Sequence, residues 1–218
     1  MEERTINGIK TIFMYAKADI DVSRVINKLN INEKKIGLVS TIQYFNQLER
    51  VKELLEKKGK EVLIGGQVIG CNASNAVKIK DKIECLVYVG SGEFHPLEVI
   101  EETKISNVYI ANPESEVITK ISKDQLELLE KKKRGKINKF LNAKKIGILV
   151  SNKPGQENLR SALVISKKLK QENYVFLDNE FDFEKYENFN DIDFWINTAC
   201  IRIEHSKVLS LKDIIPYL

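Results

Sequence analysis

A short apolar segment occurs twice in this chain, and its repetition narrows the folds that the chain can adopt. Residues 34–40 read KKIGLVS and residues 144–151 read KKIGILVS. In each copy two lysines precede an apolar run with the length and composition of a buried strand. A polar loop and an amphipathic helix follow each copy, and the first of these helices has Leu48, Val51 and Leu55 at helical spacing. The repeat therefore predicts two α/β units of related plan.

Further apolar runs alternate with helical patterns along the chain. Strands are also predicted at residues 11–15, 61–64, 85–89, 107–111, 174–177 and 193–197. Strands that alternate with helices are typical of mainly parallel sheets flanked by helices, so the predicted fold class is α/β. The lysine-rich stretch 118–145 predicts one helix and its connection, and the domain boundary is expected within it. We expect a first α/β domain at residues 1–118 and a second at residues 119–218.

The composition disfavours several classes of function. A chain of 218 residues forms one large domain or two small ones. The net charge is only +4, because 31 acidic residues offset 35 basic ones, so direct nucleic-acid binding is not expected. No apolar run approaches the roughly 20 residues that span a bilayer, and the first residues lack the apolar segment of a signal peptide. These features predict a cytoplasmic protein with no membrane contact and no disulfide framework.

Two of the three cysteines lie where a strand is predicted to end. Cys71 belongs to the segment GQVIGCN at residues 66–72, and Cys200 closes the segment NTAC at residues 197–200. Ligands of parallel sheets bind beyond the carboxyl ends of the strands, so matching positions in two related units favour a shared metal-ligand role. Thiolates select zinc or iron–sulfur centres, although the close cysteine pair of many structural zinc sites is missing. Cys85 begins an apolar strand and is expected in the core.

A glycine-rich segment follows the strand at residues 85–89. Residues 90–96 read GSGEFHP, and the backbone N–H groups near Gly90 and Gly92 are candidates for holding a carboxylate or phosphate. His95 is a candidate for orienting a substrate group, or it caps the loop.

The loop after the second copy of the repeat is another candidate anion site. It begins at Ser151 and contains Lys153 and Gln156. The helix that follows would direct the partial positive charge of its N terminus towards the loop, and Lys153 adds a full charge. An ordinary strand-to-helix loop is the alternative.

Together these motifs resemble the diphthamide-synthesis enzymes, which are the archaeal 2-(3-amino-3-carboxypropyl)histidine synthases and their eukaryotic relatives. The resemblance extends from about residue 11 to the region of residue 212. The matching segments stand in the order and spacing of the family at residues 66–72, 88–97 (YVGSGEFHPL), 111–113 (ANP), 153–156 (KPGQ) and 197–200.

The resemblance implies a specific chemistry. Members of the family have three similar α/β domains, and each domain donates one cysteine to a [4Fe–4S] cluster. S-adenosylmethionine binds the open iron, and reductive cleavage of its Cγ–S bond gives a 3-amino-3-carboxypropyl radical. The radical adds to a histidine imidazole of translation elongation factor 2, and the archaeal enzymes are homodimers.

The resemblance also assigns residues of this chain. Cys71 matches the cluster ligand of the family's middle domain, and Cys200 matches that of its last domain. Ser151, Lys153 and Gln156 fall in a loop expected near the nucleotide side of S-adenosylmethionine. Gly90 and Gly92, from the glycine-rich turn, are the other residues expected to bind it.

Two departures from the family pattern qualify what this chain does alone. It has no counterpart of the first domain with its cysteine, and Ile201 stands where the family usually has proline after the last cysteine. The resemblance therefore predicts part of a split or truncated enzyme, completed by a separate subunit or functioning as a homodimer. Two alternatives stay open: a non-catalytic paralogue or scaffold subunit of the same pathway, and a two-domain zinc protein.

Overall fold

The structure is a computed structural model that describes residues 2–6, 8–14, 16–153, 156–182, 186, 188–200, 203 and 205–218. The chain forms two compact units, Met1–Lys123 and Asp124–Leu218. Both units contain mainly parallel sheets with helices beside them, so the predicted α/β class is confirmed. Among the described residues, no helix combines the length and the apolar character needed to cross a membrane.

The first unit is built on a five-stranded sheet. Its strands are β1 (Glu2–Ile6), β2 (Ile9–Phe13), β3 (Lys35–Ser40), β4 (Glu61–Gln67), β5 (Cys85–Val89), β6 (Val108–Asn112) and β7 (Val117–Lys120). Its helices are α1 (Ser23–Lys28), α2 (Leu48–Glu56), α3 (Ser74–Val77) and α4 (Phe94–Thr103). The sheet order is β4-β3-β5-β6-β7; all pairs are parallel except β6–β7, while β1 and β2 form a separate antiparallel hairpin.

Successive side chains of β3 and β5 point to opposite faces of this sheet. Ile36, Leu38 and Val87 pack in one cluster with the apolar stripes of α1 and α2. Helix α2 is closed at its C terminus by a hydrogen bond from the Lys60 N–H to the Leu55 carbonyl, and Gly59 has φ +80°. This is the Schellman arrangement that a left-handed glycine permits. It returns the chain directly into β4, beside β3.

The second unit has a four-stranded sheet with only parallel pairs. Its strands are β8 (Lys145–Ser151), β9 (Glu172–Asp178), β10 (Phe194–Asn197) and β11 (Val208–Ser210). Its helices are α5 (Lys123–Asn142), α6 (Leu159–Lys168) and α7 (Leu211–Ile214). The order is β9-β8-β10-β11. One face packs against α5 and α6 through Phe140, Ile148 and Ile165, and Trp195 lies on the other face above Gly147.

The two sheets follow one plan. Strand by strand, β4-β3-β5-β6 corresponds to β9-β8-β10-β11, with the repeated segments forming the central strands β3 and β8. The correspondence extends to hydrogen bonds. The Glu84 carboxylate accepts the N–H groups of Lys34 and Lys35 at 2.7 and 3.0 Å. The Asp193 carboxylate accepts those of Lys144 and Lys145 at 2.8 and 2.9 Å.

The structure differs from the sequence expectations at three places. The strand expected at residues 11–15 lies in the hairpin and not in the parallel sheet, because β2 pairs only with β1; Tyr15 is outside the described residues. Strand β7 continues to Lys120 and pairs with β6, so the first unit extends beyond residue 118. Strands β1 and β11 and helices α3, α4 and α7 were not expected from the sequence. Two sequence features could have predicted α4, namely a proline in its first turn and apolar residues three positions apart.

Candidate functional site

Cys71 lies in a loop at the carboxyl end of β4. Its side chain is exposed. A two-residue turn brings Ile69 and Asn72 together in an isolated antiparallel bridge, with reciprocal N–H···O bonds of 3.1 Å. The Asn72 side-chain oxygen then accepts the Ser74 N–H at 2.9 Å, which leads the chain into α3. The loop therefore holds the cysteine on a short, hydrogen-bonded turn beyond the edge of the sheet.

Helix α4 packs directly against this loop. A Cβ placed on Gly70 would lie 1.6 Å from an atom of the Phe94 ring, so the ring fills the space that any larger residue would need. On the next turns of the same helix, the Glu102 carboxylate accepts the Ala73 N–H at 3.3 Å. Contacts on both sides of Cys71 thus depend on α4, the element that the sequence pattern did not predict.

The glycine-rich segment after β5 leads into the same helix. Gly92 has φ +72°, a backbone conformation that suits glycine. Tyr88 lies beneath Gly90, because a Cβ there would meet the phenol oxygen at 2.6 Å. The Tyr88 hydroxyl also contacts the His95 ring at Nδ1, at 3.3 Å. The loop expected to hold an anion therefore lies on the face of the first unit that carries α3 and α4, as the Cys71 loop does.

Cys200 lies beyond the end of β10, and its side chain is half-buried. Asn197, the last residue of that strand, donates to the Cys200 carbonyl at 2.8 Å and accepts the Ala199 N–H at 2.8 Å. Asn158, just before α6, donates to the Thr198 carbonyl at 2.8 Å. Two asparagines thus fix this loop, and neither was singled out from the sequence.

The loop that follows β8 has local hydrogen bonds of its own. Ser151 is fully buried, and its hydroxyl accepts the Lys153 N–H at 3.1 Å. The Gln156 N–H donates to the Lys153 carbonyl at 3.0 Å. The Lys153 ammonium forms an exposed ion pair with Glu180 at 3.1 Å, so its charge is already matched. Such exposed pairs contribute only about 0–1 kcal/mol to stability. Pro154 and Gly155 lie outside the described residues.

The third cysteine is chemically unlike the other two. Cys85 is fully buried in β5 between apolar neighbours. Burial raises the pKa of its thiol to about 12, and the nearby Glu33 charge adds to the effect. The group stays protonated at neutral pH and is a poor metal ligand, since metals bind the thiolate.

The expected equivalence of Cys71 and Cys200 is wrong at the level of topology. Cys71 follows β4, which corresponds to β9, whereas Cys200 follows β10, which corresponds to β5. The position equivalent to Cys200 in the first unit is the glycine-rich segment that begins at Gly90. The two cysteine loops match in sequence only because each follows a strand. Such a match does not reveal the order of the strands in the sheet. Ile201, the departure from the family pattern, is outside the described residues.

Each unit has one cysteine beyond the carboxyl end of a strand, with Cys71 exposed and Cys200 half-buried. Within the part of the chain that the structure describes, no group of three or more His, Cys, Asp and Glu side chains is arranged to hold a metal ion. Each unit therefore offers one thiol outside its core, and the described residues do not complete a metal site within either unit.

Comparison with known proteins identifies what the chain is similar to. A family model described as diphthamide synthesis protein matches residues 2–208. The 2-(3-amino-3-carboxypropyl)histidine synthase of Pyrococcus horikoshii is 34% identical over 212 residues, which cover 89% of this chain and 59% of that protein. The enzyme of the same name from Methanocaldococcus jannaschii is 32% identical over 186 residues, or 84% of this chain and 49% of that protein.

A solved structure shows the same similarity in three dimensions. The crystal structure of Dph2 from Pyrococcus horikoshii with a 4Fe-4S cluster superposes with a TM-score of 0.78 at 32% sequence identity. The match covers 91% of this chain and 62% of that one. The chain thus spans about half to three fifths of the length of these relatives.

Proposed function

The chain belongs to the family of diphthamide synthesis proteins, and we propose that it supplies Cys71 and Cys200 as two ligands of a [4Fe–4S] cluster in a 2-(3-amino-3-carboxypropyl)histidine synthase. The reaction is transfer of a 3-amino-3-carboxypropyl group from S-adenosylmethionine to a histidine of translation elongation factor 2. The relatives named for this synthase and the cluster in the Pyrococcus protein support the proposal.

One observation carries the ligand assignment. Cys71 is exposed and Cys200 is half-buried, and both lie on loops anchored beside neighbouring helices, whereas Cys85 is buried and protonated. The chain offers two soft ligands, and a third thiolate comes from a polypeptide segment outside these 218 residues. A cluster with three thiolates keeps one open iron, at which it would supply the electron that cleaves the sulfonium.

The residues of this chain bind and orient the substrate. We assign the loop of Ser151, Lys153 and Gln156 to the anionic or polar groups of S-adenosylmethionine, with Lys153 exchanging Glu180 for the ligand. The backbone N–H groups around Gly90 and Gly92 offer a second polar contact at the N terminus of α4. Each loop follows a central strand of its sheet, where open α/β sheets bind their ligands.

The test is anaerobic co-expression of the full chain with the family's first domain, taken from the Pyrococcus synthase. We expect the complex to bind iron and sulfide and to transfer label from the aminocarboxypropyl carbons of S-adenosylmethionine to elongation factor 2. Cys71→Ser and Cys200→Ser should each lower the retained iron about tenfold or more, because loss of a ligand makes the cluster labile. The matched control is Cys85→Ala, which removes a thiol of the same chain from the core and should retain iron.

Three results would contradict the proposal in different ways. A wild-type complex that contains no iron would exclude the cluster. Zinc at full occupancy without iron would identify a zinc protein. Diphthamide formation that persists in cells carrying both cysteine substitutions would identify a scaffold subunit.

A further inference from the structure

The hairpin of β1 and β2 is exposed in a way that its sequence does not predict. Strand β2 reads IKTIF at residues 9–13 and is followed by Met14, so apolar residues stand at both odd and even positions. Such a run is typical of a strand covered on both faces, as in a parallel sheet with helices. In the structure Ile9 is 69% exposed, Ile12 53% and Met14 79%. The segment therefore has the composition of a buried strand without the burial.

Contacts within this chain do not account for the hairpin. Strand β2 pairs with β1 alone among the described strands. Of the hairpin residues whose side chains the structure describes, none is buried and only Thr11 is half-buried. An isolated two-stranded hairpin is at best marginally stable in water, and the exposed ion pair of Glu3 with Lys10, at 3.0 Å, adds little. The hairpin thus needs a further surface to stabilise it.

The two edges of the hairpin differ in character. Strand β1 carries Glu3 and Arg4, and charged side chains on an edge strand discourage pairing with another chain. Strand β2 carries Ile9 and Ile12, and its one charged residue, Lys10, forms the ion pair with β1. An apolar strand at the edge of a sheet is the kind to which another strand adds. Strand addition is therefore expected along β2, on the side away from β1.

The chain after the hairpin is tethered at the carboxyl edge of the first sheet. The Ala18 N–H donates to the Gln43 carbonyl at 3.0 Å, and the Gln47 side-chain amide donates to the Ala18 carbonyl at 3.4 Å. Both glutamines belong to the short 3₁₀ helix Ile42–Gln47 after β3, which we call the tethering segment. The chain from Met14 to Ala18 spans about 14 Å at most. A partner bound to β2 would therefore lie near this edge.

The Cys71 loop leaves the sheet at the same place. The Val68 N–H donates to the Ser40 carbonyl at 2.9 Å, so this loop starts beside the last residue of β3. A Cβ on Gly66 would lie 3.7 Å from the Phe45 ring, so the end of β4 contacts the tethering segment. The tether of the hairpin and the candidate cluster ligand thus adjoin the end of the same strand.

We propose that β2 adds to the edge of an α/β sheet in the polypeptide that carries the third thiolate, and that this pairing brings the thiolate to the Cys71 edge. The inference rests on the proposed function and names the surface that binds the part outside this chain. An α/β sheet fits as the occupant, because its helices cover both faces. They would bury Ile9 on one side and Ile12 and Met14 on the other, since successive residues of a strand alternate.

The test uses the co-expressed complex of the full chain with the first domain of the Pyrococcus synthase, cut so that it lacks the part matched by this chain. The family model matches this chain from residue 2, so the cut domain brings no counterpart of β2. Hydrogen exchange is measured on the chain alone and on the complex. The β2 amides should exchange at least about tenfold more slowly in the complex, because a strand inside a sheet exchanges only when it opens.

Two substitutions of similar exposure separate docking from folding. Ile12→Lys changes a side chain that is exposed in the chain alone, so the urea midpoint should stay the same. The amount of first domain that co-purifies should fall about tenfold or more, the usual cost of losing an apolar anchor. Val117→Lys changes a 50% exposed residue of β7, the edge strand of the first sheet, and should keep the full amount.

A deletion of residues 2–14 completes the test. It should abolish co-purification and leave the urea midpoint unaltered, because the hairpin contributes no described buried side chain to the first unit. Equal co-purification with and without these residues would overturn the hairpin contact, even in a complex that holds iron. Protection of the β2 amides in the chain alone, rising with its concentration, would identify a second copy as the occupant and overturn the assignment.

The same complexes separate this inference from the function on which it rests. A complex that depends on the hairpin and contains no iron would overturn the cluster proposal and leave the contact standing. Iron retained in a complex of the deletion variant would do the reverse. A first domain that does not co-purify with the wild-type chain would overturn both.

Discussion

The Cys71 and Cys200 loops present the same kind of side chain at the same edge of two related sheets, but different contacts hold them. In the first, an aromatic ring of α4 lies on Gly70 and adds close packing to the hydrogen bonds of the turn. Hydrogen bonds hold the second, since the amide of Asn197 both donates to and accepts from the backbone around Cys200. The loops also follow strands that do not correspond in the two sheets.

This difference shows that the two units share a strand order but not the position of the cysteine loop. The Glu84 and Asp193 carboxylates each accept two N–H groups at the start of the central strand, and we call these contacts the carboxylate braces. They correspond residue for residue, because they stabilise the central strand that both sheets need. The cysteine loops do not correspond, so the two thiols lie on different connections of the shared scaffold.

Among the substitutions that test this comparison, Gly70→Ala is expected to lower stability and iron retention most. The new methyl group would overlap the Phe94 ring, so either the loop or the start of α4 must shift. Overpacking of this kind costs about 1–3 kcal/mol. We expect a lower urea midpoint for the first unit and loss of most iron from the assembled complex.

The control for that substitution is Gly135→Ala in α5, where an added Cβ meets nothing within 4 Å. It should stabilise the chain slightly, by about 0.5–1 kcal/mol, because alanine is the better helix former. Replacing Phe94 by leucine in the Gly70→Ala background should recover part of the loss. Unchanged stability and iron content in Gly70→Ala would show that packing does not hold the Cys71 loop.

A somewhat smaller effect is expected for Asn197→Ala. The side chain is 2% exposed, and its removal leaves the Cys200 carbonyl and the Ala199 N–H without these partners. Ala199 and Cys200 are only half-buried, so water replaces the lost partners in part and each lost bond costs about 0.5–1 kcal/mol. Chemical denaturation should show the loss, and iron retention should fall with it.

Asn197→Asp separates the two hydrogen bonds of this residue. Aspartate keeps an acceptor for the Ala199 N–H but cannot donate to the Cys200 carbonyl when ionised. We expect it to retain the bond to Ala199 and to lose only the one to Cys200. Full stability in both Asn197 variants would remove the contrast between a packed loop and a hydrogen-bonded loop.

The fold was largely predictable because its strongest signals are local. The repeated segments form β3 and β8, and the buried apolar runs identify the central strands, since a strand covered on both faces is apolar throughout. Strand β11 has three residues, too few for a pattern. The pairing of residues 11–15 was missed because an isolated hairpin and a strand of a larger sheet have similar sequences.

The candidate site was predictable only in part. Two cysteines that follow strands and a buried Cys85 follow from local pattern, and the structure shows Cys71 exposed, Cys200 half-buried and Cys85 buried. The roles of Phe94, Glu102 and Asn158 depend on contacts between residues distant in sequence, which no spacing reveals. The assumed equivalence of the two cysteines failed because strand order is a property of the sheet and not of the segment.

The smallest effect, and the one that tests the shared scaffold, is acid sensitivity of the two carboxylate braces. The Lys35 and Lys34 N–H groups lower the pKa of Glu84, and those of Lys145 and Lys144 lower the pKa of Asp193. A carboxyl group with a lowered folded pKa stabilises the protein above its unfolded pKa, near 4. That contribution disappears as the pH falls through the folded value.

Glu84→Gln and Asp193→Asn should therefore each lower the urea midpoint at pH 7, because a neutral amide oxygen is a weaker acceptor for two N–H groups than a carboxylate. The deficit relative to the wild type should shrink as the pH falls below about 4, since the wild-type braces become protonated there. Glu53→Gln, on the exposed side of α2, should show no such convergence. If the difference in urea midpoint disappears at low pH for only one of the two variants, the corresponding hydrogen bonds are not energetically equivalent. The two units would then share a strand order without sharing the interactions that maintain it.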